Sequence, residues 1–206
     1  MKKLIFACIA LNILLYSCND SSDTNSKPSR EQLKTRIKEM EDSINNLQQH
    51  LAVIKKIPNL THFELINRLL DYYHNYPEDV FAAECLDKVH MKFAGLNIPT
   101  RAAEFADTLL LKYPKYANRA MVLESQGSTY DIFIQPRDTV KVRYYYELLL
   151  KENRDMDKEK RAGIRDRLNH LDMTFDEFIN YKIKSYFLFI FHSAKLQKIL
   201  KFIKLF

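Results

Sequence analysis

Six histidines, three cysteines and 26 acidic residues are the side chains from which catalysis or metal binding would have to be built. Zinc chemistry needs histidines one helical turn apart, or a tight His/Cys cluster. His50, His62, His74, His90, His170 and His192 are scattered, with neither pattern among them. Asp71 and His74 share a helix face, which reads as a solvated pair. Ser128 follows Gly127 without the Gly-x-Ser-x-Gly turn that lifts a nucleophile into a site. Three glycines in the whole chain leave no phosphate-cradling loop. Lys141, Arg143 and Tyr144-Tyr145-Tyr146 combine charge with aromatic rings as nucleic-acid binders do, but packing explains the tyrosines more simply. No enzyme, no metal and no cofactor are expected. One thiol stands apart: Cys18 closes an apolar run and directly follows the small residue Ser17.

That run begins with a positive start, Met1-Lys2-Lys3, and continues from Leu4 to Tyr16, broken only by Asn12. It is too short for a membrane span and suits a secretory leader. Leu15-Tyr16-Ser17-Cys18 resembles the bacterial lipoprotein signal, with a branched aliphatic residue at −3, a small one at −1 and the modified cysteine at +1. Tyr16 at −2 is larger than the usual residue. The resemblance implies a signal peptide over residues 1–17 and acylation of Cys18 with diacylglycerol and acyl chains such as palmitate. Several acyl chains anchor firmly, at about 0.8 kcal/mol per buried CH₂. The polar residues 18–29 would be a tether. Asn19 is not the aspartate that resembles an inner-membrane retention signal, so the implied address is the periplasmic side of the outer membrane.

The net charge of +6 belongs to the two ends. Residues 1–18 hold two lysines and residues 181–206 six, neither stretch with an acid. Between them lie 24 basic and 26 acidic residues, a net charge of −2. A basic nucleic-acid-binding body is therefore not expected.

The elements that must carry any function read as helices throughout. Ser29 is placed to cap a helix over 30–57, with Glu31 and Gln32 in its first turn. Leu33, Ile37, Met40, Ile44, Leu47, Leu51 and Ile54 follow in alternating steps of four and three, an unbroken heptad seam. Two readings stand for it: a short parallel coiled coil that makes a homo-oligomer through residues 33–54, which we favour, or a first helix lying on the following domain. Pro58 ends that helix, and Thr61 is expected to cap the next, up to Pro77. Further helices are expected over 117–134, over 140–153 with Asp138 as cap, over 157–170, and briefly after Thr174.

The stretch from Ala83 to Pro114 shows how these helices are arranged. Large residues Leu86, Val89 and Phe93 on one helix face small residues Ala102 and Ala106 on the next, which also carries Leu109. Counted from Ala83, these positions and Pro114 match a 34-residue tetratricopeptide repeat, and the chain resembles that family here. His90 stands where the family has Gly or Ala. A second unit from Ala120 puts Leu123, Gly127 and Tyr130 in register, and Asn75-Tyr76-Pro77 anticipates Lys112-Tyr113-Pro114. The expected fold is all-α: a tetratricopeptide-like helical-hairpin solenoid over 60–180, preceded by the short coiled-coil helix.

In that family the first helix of each repeat lines a concave face. The resemblance assigns partner binding to Glu84, Asp87, Met91, Glu124, Ser128 and Asp131, with Ala94 and Met121 beside them. Such an acidic, methionine-bearing face would take an envelope protein or a peptide bearing Lys or Arg. The combination of anchor, coil and repeats resembles two groups, outer-membrane-protein assembly lipoproteins and Tol-Pal-associated periplasmic coordinators. It implies a scaffold or adaptor in envelope assembly; a coiled-coil spacer without a specific ligand is the alternative. The basic aromatic tail, 181–206, has three readings: a non-native or dispensable extension, a basic amphipathic helix on an anionic membrane, or a last helix packed on the solenoid.

Overall fold

The computed structural model describes residues 27–49 and 58–188. Among these every regular element is a helix: α1 Arg30–Gln49, α2 Asn59–Asn75, α3 Val80–Gly95, α4 Pro99–Lys112, α5 Arg119–Ser128 continued by a π-helical turn Thr129–Phe133, α6 Thr139–Glu152, α7 Lys158–Asn169, and α8 from 175 through 188. The leader with Cys18, the later seam residues Leu51 and Ile54, and residues 189–206 lie outside the described residues.

Local chemistry sets the helix starts. Ser29 and Gln32 exchange bonds at the head of α1: the Gln32 N–H donates to Ser29 Oγ at 3.2 Å, and the Ser29 N–H to Gln32 Oε1 at 2.9 Å. Asp79, Asp138 and Asp157 accept from N–H groups of Phe81, Lys141 and Lys160 at the heads of α3, α6 and α7. Thr174 and Glu177 form a second reciprocal cap before α8. Thr61 is not a cap. The carbonyl of Pro58 already accepts from its N–H at 3.0 Å, so α2 starts three residues earlier than expected.

The ends of the even helices repeat one device. Tyr76, Tyr113 and Asn153 leave α2, α4 and α6 with their N–H still bound to the carbonyl four residues back. The N–H three residues further on, at Asp79, Tyr116 and Met156, then bonds to the carbonyl of that same residue. These turns are 37 and 40 residues apart. The second interval is longer because the links before and after its leading helix have five residues each beyond Tyr113, where those around α3 have three beyond Tyr76, less one residue in the leading helix itself. In the shorter turn Asn97 takes a left-handed conformation, φ 59°, which asparagine tolerates better than most side chains.

Consecutive helices pack on one another from α1 to α7, and side chains bridge alternate ones. Glu41 of α1 meets Lys88 of α3 at 2.7 Å, and Glu124 of α5 meets Lys160 of α7 at 2.6 Å. Among even helices, Lys112 of α4 donates to Tyr73 of α2 at 2.8 Å, and Tyr145 of α6 donates to Asp107 of α4. Odd helices thus touch odd and even touch even.

Two apolar cores result. The first takes Leu33, Ile37 and Ile44 from α1 together with Leu69, Leu86, Val89, Phe93, Ala102, Ala106 and Leu109. Each buried leucine contributes roughly 1.5–3 kcal/mol relative to leaving it in water. The second joins α5, α6 and α7 through Leu123, Tyr130, Val142, Tyr145, Tyr146, Leu149 and Ile164. Gly127 is required there, because a Cβ would sit 2.5 Å from Cε1 of Tyr146.

The described part of the heptad seam, five of its seven residues, faces inward: Leu33, Ile37 and Ile44 are buried against α2 and α3, with Met40 and Leu47 packed beside them. Over its described residues α1 therefore lies on the domain, as in the second of the two readings. The apolar stripe is the same in either case, and the nearest apolar surface, on the same chain, covers it. The compositional boundary at 181 falls within α8, which runs through it without a break.

Candidate functional site: the face of the odd helices

Glu84, Asp87 and Met91 recur at steps of three and four, so α3 presents them as one stripe. Glu84 and Met91 are exposed, Met91 to 62 %; Asp87 is half-buried. Asp87 is held from two sides. The Tyr116 hydroxyl donates to its Oδ2 at 2.7 Å, and Nδ1 of buried His90 lies 3.2 Å from its Oδ1. Burial pushes this carboxyl up, but the His90 and Tyr116 contacts outweigh it and hold the group below the ordinary carboxylate value. Asp87 therefore stays ionised, and Tyr116's own burial, then its bond to Asp87, pushes that phenol well above its usual value.

A hollow of about 270 Å³ opens between α3 and the segment that leads into α5, lined by Glu84, Asp87, Lys88, Tyr116, Ala117 and Asn118. Lys88 is engaged by Glu41, so the two carboxylates dominate the hollow's field. Its size suits one side chain of a bound partner rather than a small-molecule cofactor. Ala94 is exposed beyond Met91, and Met121, three residues after Asn118, is 61 % exposed.

The corresponding stripe on α5 closes as the chain proceeds. Met121 is open. Glu124 is half-exposed and paired with Lys160. Ser128 is half-buried, its hydroxyl 3.2 Å from that of Tyr146. Asp131 is 3 % exposed. It accepts both arms of Arg167, at 2.7 and 2.8 Å, with Arg137 3.6 Å away. The expectation of Asp131 as a partner-binding residue is corrected: it is an internal ion-pair centre. The cause is α7, which lays Lys160, Ile164 and Arg167, again at steps of four and three, along α5.

Two more polar clusters were not visible beforehand. Asp107 of α4 accepts from Gln126, from Tyr130 at 3.2 Å and from Tyr145, with Lys141 3.6 Å away. Burial, then the Asp107 contact, pushes the Tyr145 phenol far up. Tyr145 and Tyr146 are thus core residues and Tyr144 alone is exposed, which accounts for the tyrosine run. The other, between α1 and α2, is a hollow of about 420 Å³ lined by Leu33, Arg36, Glu39, Glu64, Asn67, Arg68 and Asp71. Arg68 there is engaged by Glu64 and the Arg36 carbonyl. Only the odd-helix identity of Lys88 and the tyrosine position before α5 could have signalled Lys88 and Tyr116 in the sequence.

Cys85 is fully buried, and desolvation pushes its thiol up to about 12, so it behaves as a small apolar residue. Among the described residues no three His, Cys, Asp or Glu side chains converge to hold a metal ion. No protein-family model, no curated protein and no solved structure matches the chain.

Proposed function

We propose that this protein is a membrane-anchored scaffold or adaptor lipoprotein of the cell envelope. It is tethered through acylated Cys18 at the periplasmic side of the outer membrane and binds a protein partner on the face of its odd helices. The helix pairs are read as a tetratricopeptide-like solenoid. The recurring turn at Tyr76, Tyr113 and Asn153 and the odd-to-odd and even-to-even bridges support that reading. The observation that carries the binding role is the pairing of two exposed methionines, Met91 and Met121, with the acidic hollow at Glu84 and Asp87. Polarisable, adaptable thioethers beside fixed negative charge suit a peptide segment that alternates apolar residues with Lys or Arg. The partner-binding set contracts to Glu84, Asp87, Met91 and Met121, with Lys88 and Tyr116 supporting them.

A photocrosslinking residue placed at Met91 or Met121 in cells is expected to capture one recurring envelope protein. Capture of other copies of this chain alone would refute the adaptor reading. The anchor is tested separately: Cys18→Ala is expected to release the protein from the membrane fraction or leave it unprocessed. Unchanged fractionation would remove the anchor from the proposal.

A further inference from the structure

We propose that a second copy of this chain docks on the face of the even helices, with the two α6 helices antiparallel across a two-fold axis. The outer side of α6 carries Val140 and Tyr144, both exposed, Tyr144 to 57 %. Around them the surface divides into two edges. Arg143 and Glu147, four residues apart, form one edge, where they are exposed and paired at 3.5 Å. Tyr144 and Leu148, also four apart, form the other, which faces α4. There a hollow of about 270 Å³ opens between the two helices, with Leu110, Leu111, Tyr144 and Leu148 in its walls. Leu111 is 81 % exposed, so an apolar knob stands beside a hole.

Two polar side chains also reach the hollow, Arg119 and Asp107, and both are matched within the chain. Nε and Nη2 of Arg119 donate to Glu152 at 2.8 and 3.2 Å, and Nη1 donates to the Leu110 carbonyl at 2.8 Å. One oxygen of Asp107 accepts from Gln126 and Tyr145, the other from Tyr130 at 3.2 Å. Matched polar groups between hydrocarbon walls favour an apolar occupant over a charged one.

The layout of charge selects that occupant and its direction. An antiparallel two-fold lays like edge on like edge in reversed order. Centred near residues 145–146, it brings Arg143 of each copy to Glu147 of the other, and Tyr144 to Leu148. It also sets Leu111 of each copy over the groove between α4 and α6 of the other. A parallel arrangement would lay the charged edge of one copy on the apolar edge of its neighbour, which desolvates charge without pairing it. The face is thus complementary to itself, in charge and in apolar shape, as a two-fold interface requires. It does not involve the odd-helix site, which α3 and α5 carry.

The test is sedimentation equilibrium of the full chain in a density-matched mild detergent, where association through a lipid anchor does not register. A monomer–dimer equilibrium at micromolar concentration is expected. Leu111→Asp is expected to weaken it roughly thirtyfold or more, by putting a charge into each apolar contact, with an unchanged thermal melt because the side chain is exposed. Arg143→Glu and Glu147→Arg are each expected to weaken it about tenfold, by setting like charges opposite one another. The double exchange restores the opposite charges and is expected to return the dimer to within about threefold of the parent. Mixed in equal amounts, the two single variants are expected to pair with each other in preference to themselves. A chain that stays monomeric to millimolar concentration overturns the proposal and leaves the face to an unlike protein. A dimer indifferent to Leu111→Asp and to both charge variants also overturns it, because the copies then meet elsewhere. So does a lowered melt in Leu111→Asp with an unchanged dimer, which places another part of the same chain on the face. Loss of the dimer in both single charge variants without recovery in the double one refutes the antiparallel pairing, and the proposal with it.

Discussion

The α3–α4 and α5–α6 pairs solve the same packing problem in opposite ways. In the first, the large residues Leu86, Val89 and Phe93 lie on the leading helix and the small ones, Ala102 and Ala106, on the trailing helix. In the second, the leading helix supplies Gly127 and the trailing helix supplies Tyr146, whose ring fills the space above it. The first pair is closed by apolar contacts, with His90 beside Asp87 as its buried polar group. The second buries Gln126, Asp131 and Arg167 alongside its apolar core, and its leading helix widens into a π turn where Asp131 sits. Close approach of two helices thus depends on a small residue on either one. The cost of the second solution is a set of polar groups that must all be matched.

The largest effect is expected where that matching is broken. Asp131→Leu leaves Arg167 and Arg137 without their carboxylate and should lower stability by about 3–5 kcal/mol in urea unfolding. Adding Arg167→Met should recover much of the loss, since replacing a whole buried pair is far less costly than removing one partner. A single variant as stable as the parent would show that the ion pair is incidental. Next is Gly127→Val, which drives Cβ into the Tyr146 ring and should cost about 1–3 kcal/mol. Tyr146→Leu in the same chain should relieve part of it, and strict additivity would mean that the two residues do not share the space.

The leading helices also differ at their first turn. Asp79 caps α3, whereas α5 has no side-chain cap. The Phe81 N–H holds the Asp79 carboxyl below its ordinary value against the opposing effect of burial, and the Tyr72 hydroxyl helps. Its contribution is therefore complete above the unfolded carboxylate value and fades as pH falls through the lower, folded value. Asp79→Asn should keep the cap yet flatten that part of the acid-unfolding curve; Asp79→Ala should cost about 1 kcal/mol at neutral pH. An acid profile identical in Asp79→Asn would assign the slope to other carboxylates. The smallest effect, and the only stabilising one, is expected at Gly163 of α7, where a Cβ meets nothing. Gly163→Ala should raise stability by roughly 0.5–1 kcal/mol, in contrast to the loss at Gly127.

Much of the helical framework was legible. The caps at Ser29 and Asp138 and the helix starts at Asp157 and Thr174 follow from side chains that satisfy the N–H groups of the first turn, a bond confined to four residues. The core positions Leu86, Val89, Phe93, Ala102, Ala106 and Leu109 follow from periodicity. Thr61 misled because Pro58, three residues before it, offered a carbonyl that began the helix sooner. The candidate face was legible only in part. Glu84 and Met91 stand where their spacing puts them, but neither the hollow at Tyr116 nor the knot at Asp107 has a local signature, since their members lie far apart in the chain.

By itself the sequence determined that this is a chain of short amphipathic helices, where most of them begin, and which stripe of each is apolar. All of these depend on contacts within a few residues. Only the tertiary structure decided what covers each stripe. It turned the seam of α1 inward, laid α7 over the end of α5 so that Asp131 became an internal charge, and left the outer side of α6 open. An amphipathic pattern specifies that a face must leave water; which surface receives it depends on helices distant in the chain.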